Sequence, residues 1–371
     1  MNILQLRTEF SDNGPGTQTL TISTELRSRG YKVVLASSGG HLTEKIINAG
    51  FQYYIIPEIA FGKRTPLNII KSILSIRKIL IKEKISIIHA HNATSVLLAN
   101  ISSFLAFRKV KFFQSVRGVE IRDNYGWRNK IYKLAKYNAM FAVSRFTKNA
   151  IVNFGVNPEK VVVTYNGVDL KRFDINKRDS YNLEIRKEFN IPTNAFVIGI
   201  VGRQDGIKGH NDLIKTFKRL YDKHPNLYIM LVGGGSETES NELLSIDLGI
   251  NSRCVFTGLR LDVEKLHASF DIFTLLSKKG FEMFPNVIIE SMSYGNPFIG
   301  TNTTGVPEAA EKGEGFICEP HDIECFCEKI ELLIKDTVLK DKMSVRAIKS
   351  VEEEFNIARV VDKIEQAYKL S

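Results

Sequence analysis

Cysteine is scarce in this chain, with four residues in 371 (Cys254, Cys318, Cys325 and Cys327). No basic leader, apolar stretch and small-residue cleavage site open it. Together these features argue against a disulfide framework and imply reduced thiols in a cytoplasmic setting. Cys318, His321, Cys325 and Cys327 lie close in sequence, but no CxxC pairing joins them, so they read as small apolar side chains rather than metal ligands. Long apolar runs are missing too. The richest region, 67–89, is broken by Lys71, Arg77, Lys78, Lys82, Glu83 and Lys84, so it cannot cross a bilayer as one helix. The first βα loop lacks G-x-G-x-x-G followed by an acidic residue, which excludes a dinucleotide-dependent dehydrogenase. No period of about 20–50 residues recurs, which excludes a solenoid or propeller. There is no RNP-like aromatic run, zinc finger or helix-turn-helix signature, so no nucleic-acid partner is expected.

What is present is an ordinary globular composition, 43% hydrophobic and 25% charged, in a chain long enough for two domains. Charge is divided unevenly. Residues 1–180 hold 28 Lys+Arg against 12 Asp+Glu, whereas residues 181–371 hold 23 against 29. The basic first half points to an anionic partner, and nucleic acid, an acidic membrane surface or a phosphorylated substrate would each satisfy that field.

Apolar runs of strand length alternate with stretches of helical period, the pattern of βαβ units in parallel sheets. Strands are expected at 2–6, 32–36, 52–56, 85–89, 111–115, 139–143 and 161–164. The pattern restarts at 196–201, 227–232, 254–257, 272–276, 297–301 and 315–317. A polar stretch from Leu170 to Pro192 reads as a linker. The expectation is an α/β chain of two Rossmann-like, doubly wound domains facing a central cleft. The first domain spans 1–175, with 355–371 crossing back onto it, and the second spans 176–354.

Two segments carry chemistry. In the first, strand 197–201 runs into Gly202-Arg203-Gln204-Asp205-Gly206-Ile207-Lys208-Gly209. Helix-start amides and two cations there suit a diphosphate, Arg203 as a planar fork and Lys208 as a point charge. In the second, Glu282 and Glu290 flank Pro285-Asn286. That pair should open a helix, with Glu282 in the loop, Glu290 about two turns in, and anion-binding amides at Asn286 and Val287.

In order along the chain, several motifs resemble the retaining GT-B glycosyltransferases of family 4. They are Asn13-Gly14-Pro15-Gly16 before a helix ending Arg29-Gly30-Tyr31-Lys32-Val33, then Ile88-His89-Ala90-His91, Ala142-Val143-Ser144 and Tyr165-Asn166-Gly167-Val168-Asp169. Val201-Gly202-Arg203 with Lys208-Gly209, the Glu282/Glu290 pair and Gly305-Val306-Pro307-Glu308 complete the set. The resemblance implies a retaining transfer of sugar from a nucleotide-diphosphate donor, a uridine diphosphate sugar first and GDP-mannose second. The acceptor would be a glycan or a lipid-linked one, in cell-surface polysaccharide or glycolipid synthesis. Catalytic roles would fall to Arg203, Lys208 and Glu282, the first two on the diphosphate and Glu282 on hydroxyls of the transferred sugar. Donor contacts would come from Gly14, Gly16, Gly202, Asn286, Val287 and, on the ribose, Glu290. No Asp-x-Asp occurs, and the two cations offset leaving-group charge, so neither metal nor cofactor is expected.

Ser115-Val116-Arg117-Gly118 puts Arg117 where many members carry a histidine, which suits an anionic donor or acceptor. Met283 stands where glycine is common and should reshape the sugar pocket. His89 and His91 are expected on opposite faces of a strand end, with His91 and Arg117 as acceptor-side candidates and His89 structural. The 61–80 segment reads as a basic amphipathic helix, packed on the sheet or docked to the inner face of an anionic membrane. Competing readings are a UDP-sugar epimerase of the same fold, or a non-catalytic sugar-binding or nucleic-acid-binding protein.

Overall fold

The computed structural model describes residues 1–11, 14–119 and 131–370. It divides into two compact units, Met1–Gly167 with Ile357–Ser371, and Val168–Asn356. The sequence-based division lies at 175/176 and 354/355.

Unit one is built on seven parallel strands: β1 (Asn2–Leu6), β2 (Lys32–Ser37), β3 (Gln52–Ile55), β4 (Ile87–Ala90), β5 (Lys111–Val116), β6 (Ala139–Ala142) and β7 (Val161–Val163). Their order is β3-β2-β1-β4-β5-β6-β7, so the winding direction reverses between β1 and β4. β1 and β4 have apolar residues facing both sides: Ile3 and Ile87 join one core, and Leu4, Leu6 and Ile88 the other. A sheet covered on both faces needs such unbroken apolar strands. The Ile357–Leu370 helix supplies Ile357, Val360, Val361, Ile364 and Tyr368 to the first of these cores.

Unit two repeats the plan with six strands: β8 (Phe196–Val201), β9 (Leu227–Val232), β10 (Cys254–Gly258), β11 (Ile272–Leu275), β12 (Phe298–Thr301) and β13 (Gly315–Cys318). Their order, β10-β9-β8-β11-β12-β13, reverses between β8 and β11. All thirteen expected strands are present, within two residues at either end.

Three expectations are corrected. The middle of the 170–192 stretch is a helix, Arg178–Glu188, not linker. Its Ile185 is buried, and the Arg186 guanidinium caps the carbonyls of Pro192 (2.8 Å) and Ala195 (3.0 Å), so a polar surface helix was mistaken for a loop. Cys318 and Cys325 form a disulfide, not two thiols. Cys318 ends β13 and Cys325 lies in the first turn of the Ile323–Lys335 helix, with Cα atoms 6.0 Å apart, within bridging range. Finally, Gly14, Pro15 and Gly16 do not form a loop. They open the Gly14–Ser28 helix, where a proline lacking N–H costs no intrahelical bond. Asn13 lies outside the described residues.

Candidate active site

In unit two the candidate residues gather past the C-terminal ends of β8 and β11, where the winding reverses and open α/β sheets bind ligands. The loop after β8 is held close by its neighbours. Gly209 has φ +85°, and a Cβ there would meet the Leu276 carbonyl at 2.3 Å. Gly233, the first of three consecutive glycines after β9, has φ +118°, and a Cβ there would lie 2.2 Å from the Gly202 carbonyl. Only glycine permits both the left-handed conformation and that approach. Buried Gln204 ties the two loops, donating to the Gly233 carbonyl (2.8 Å) and accepting from Asn241 (2.9 Å).

So positioned, the Lys208 ammonium donates to Glu282 Oε1 and pairs with it, and the Ser277 hydroxyl donates to the same oxygen at 2.9 Å. Glu282 is only 6% exposed. Its carbonyl accepts from the Gly305 amide (2.9 Å) and from the Thr304 hydroxyl, which anchors the loop to the turn after β12. A buried carboxylate with a cation and a hydroxyl on one oxygen keeps its second oxygen for another partner.

Arg203 does not join this group. Its side chain is 78% exposed and pairs with Asp205 at 3.0 Å. Asn286 and Val287 do open a helix, Asn286–Met292, behind Pro285. Glu290 is its fifth residue, just over one turn in rather than two, and lies 3.7 Å from the buried His267 ring. The two carboxylates thus have different partners. Sequence reasoning missed Ser277, Gln204 and the Gly233–Gly235 loop, although three glycines directly after a strand were a legible signal.

In unit one, β4 and the residue after it carry His89 and His91, and the expectation of opposite faces is overturned. Their rings stack, with centroids 4.7 Å apart and planes 14° from parallel. Residues i and i+2 of a strand share a face, so the expected alternation was off by one residue. Both imidazoles are buried and bonded. His89 faces the Tyr368 hydroxyl through Nδ1 (2.6 Å) and Ser115 through Nε2 (2.8 Å). His91 faces Thr19 through Nδ1 (3.2 Å) and donates from Nε2 to Gln5 Oε1 (2.7 Å). Burial pushes His89 down to about 3, helped by the charge of Arg117, and holds His91 well below the usual histidine range. Both are neutral, fully engaged groups.

Arg117 follows β5 and donates through Nη1 to Asn166 Oδ1. Gln18, from the helix that begins at Gly14, exchanges two bonds with Gly167: its Nε2 donates to the carbonyl (2.6 Å) and its Oε1 accepts from the amide (3.0 Å). Gly16 is buried in the first turn of that helix and Gly14 is exposed at its start.

Residues 12–172 match the family described as Glycosyltransferase Family 4, and residues 182–350 match Glycosyl transferases group 1. The chain is 26% identical over 367 residues to the N-acetyl-alpha-D-glucosaminyl L-malate synthase of Bacillus anthracis, covering 96% of this chain and 94% of that protein. It is 28% identical over 313 residues to the UDP-Gal:alpha-D-GlcNAc-diphosphoundecaprenol alpha-1,3-galactosyltransferase of Escherichia coli, covering 80% and 79%. Among solved structures, Anabaena Alr3699/HepE in complex with UDP aligns with a TM-score of 0.85 over 100% of both chains at 20% identity. That likeness bears on the fold, which is GT-B.

Proposed function

Because this chain belongs to the GT-B glycosyltransferases of family 4, we propose that it moves a hexosyl or N-acetylhexosaminyl group, with retention, from a nucleotide-diphosphate donor held by the second domain. The observation that carries this reading is the Lys208–Glu282–Ser277 group at the reversal of the second sheet. Lys208 holds the donor diphosphate and offsets the charge that grows on it as the sugar departs. Glu282, its second oxygen still available, accepts from hydroxyls of the sugar, and Glu290 takes the ribose. Arg203 exchanges Asp205 for a phosphate oxygen. Asn286 and Val287 offer amides at the start of their helix, and Gly14 and Gly16 belong to the first domain's contribution. These contacts require no metal.

A uridine diphosphate sugar is the first choice of donor, in keeping with the galactosyltransferase relative named for one, and GDP-mannose the second. The acceptor is a glycan or lipid-linked molecule in polysaccharide or glycolipid synthesis. Surface chemistry of the first domain supports docking to an anionic membrane. No helix among the described residues is long and apolar enough to cross one. The Pro66–Lys82 helix buries Ile73, Ile76 and Leu80 but leaves Leu67, Ile70 and Leu74 exposed among Lys71 and Lys78. Phe104 and Phe107 nearby are 77% and 92% exposed. Apolar side chains interleaved with lysines suit an anionic bilayer surface.

The test is a panel of nucleotide sugars scored by thermal shift and by slow donor hydrolysis. Stabilisation by one nucleotide class with release of its sugar is expected. Silence across the panel refutes the proposal, and isomerisation of the sugar without an acceptor replaces it with the epimerase reading.

A further inference from the structure

Arg7, His91 and Arg117 each follow directly on a strand, β1, β4 and β5 respectively, and these three strands are neighbours at the point where the first sheet reverses direction. Such a crevice is where an α/β sheet takes its ligand. Two guanidinium groups therefore share one crevice. Arg7 donates from Nε to the Glu9 carbonyl (3.0 Å) and from Nη1 to the Pro15 carbonyl (2.8 Å) and the Thr19 hydroxyl (3.0 Å). Arg117 donates from Nη1 to Asn166, while its Nε is buried with no hydrogen-bond partner among the described residues.

Neither arginine is ion-paired with a carboxylate among the described residues, although Glu9 attracts Arg7 at longer range. The adjacent histidines are neutral and bring no counter-charge. Burial, then the like charge of Arg7, pushes Arg117 down to about 9, and burial pushes Arg7 down to about 10. Two cations held near each other with too few acceptors are unfavourable for folding alone. That arrangement is what an anion site looks like before its anion arrives.

We propose that Arg7 and Arg117 form an oxyanion site that receives a phosphate or carboxylate group of the acceptor. The proposal rests on the reading of His91 and Arg117 as acceptor-side residues of a glycosyltransferase, and it adds the chemical class of that acceptor. A planar fork with a spare Nε beside a second guanidinium fits an oxyanion presenting two or three oxygens. The net positive charge of the first half draws such a molecule in.

The experiment titrates the full-length Lys208→Ala protein, with the second domain's diphosphate contact weakened, against methyl phosphate, inorganic pyrophosphate and succinate by calorimetry. At least one of these binds, and the tightest separates a phosphate source from a carboxylate one. Arg7→Gln and Arg117→Gln each weaken that binding about tenfold or more. Both also raise the thermal midpoint in the absence of ligand, because each removes one of two repelling, desolvated charges. Arg117→Lys, which keeps the charge but loses the fork, binds at an intermediate level. No binding by any probe, or binding in either Gln variant as tight as in its parent, overturns the proposal. So does a fall in midpoint with Arg117→Gln that Arg117→Lys restores, since that marks a structural cation. Because no donor is present, failure of the nucleotide-sugar panel leaves this result standing, and the reverse also holds.

Discussion

Lowering the pH from 7 to 5 should loosen the first domain through the stacked histidines before carboxylates matter. The unfolded chain takes up a proton on His89 near the ordinary 6.5, whereas the native state refuses it until about 3. Between those values the unfolded state binds more protons, so stability falls as pH falls. One proton corresponds to about 1.4 kcal/mol per pH unit, and the transition begins near 6.5, so His89 alone removes about 2 kcal/mol by pH 5. His91, held well below its usual range by the same burial, steepens the slope toward two protons. Against a typical domain stability of about 5–15 kcal/mol, that loss is measurable. Native-state hydrogen exchange of the β4 amides, corrected for intrinsic rate, reads it locally. His89→Gln lowers stability at pH 7 and reduces the slope by one proton. A wild-type slope in that variant, or a flat profile in the wild type, would refute the argument.

Lys208→Ala leaves the buried Glu282 carboxylate without its cation, so turnover falls and the second domain loses on the order of 3 kcal/mol. Adding Glu282→Gln restores the thermal midpoint but not turnover; a double variant as unstable as the single one would show that the pair is not what Lys208 supports. Glu290→Ala lowers turnover with an unchanged midpoint, and parallel loss of both would make it a structural residue. Transfer proceeds in excess EDTA, and abolition rescued by Mg²⁺ would demand a metal site. Gly209→Ala drives a Cβ into the Leu276 carbonyl and lowers both midpoint and donor binding, and an unaffected protein would mean the loop yields easily.

Strands were the most legible feature, because β8 or β9 must be apolar on both faces and so reads as one continuous run. Helices on the surface were less so: Arg178–Glu188 is polar by composition, and only Ile185 and Arg186 turn inward. In the candidate site, Lys208 and Glu282 stood out because loop glycines and a Pro-Asn helix start mark them. Arg7 did not. Its relation to Arg117 depends on the order of β1, β4 and β5, which no spacing along the chain reveals. The disulfide was missed for a similar reason, since a count of four cysteines says nothing of how close Cys318 and Cys325 come.

The chain leaves the first unit after Gly167 and returns at Ile357, and the two crossings run side by side. Val168 bridges Asn356, its amide donating to the Phe355 carbonyl at 2.7 Å, while a Cβ on Gly167 would lie 2.8 Å from the Ile357 Cα. In topological terms the second unit is an insertion in the first. During synthesis, strands β1 to β7 are made early yet wait for the Ile357–Leu370 helix, which follows the inserted unit in the chain, to complete their core. The unit whose strands are made first therefore seals its core only after every residue of the inserted unit has been made.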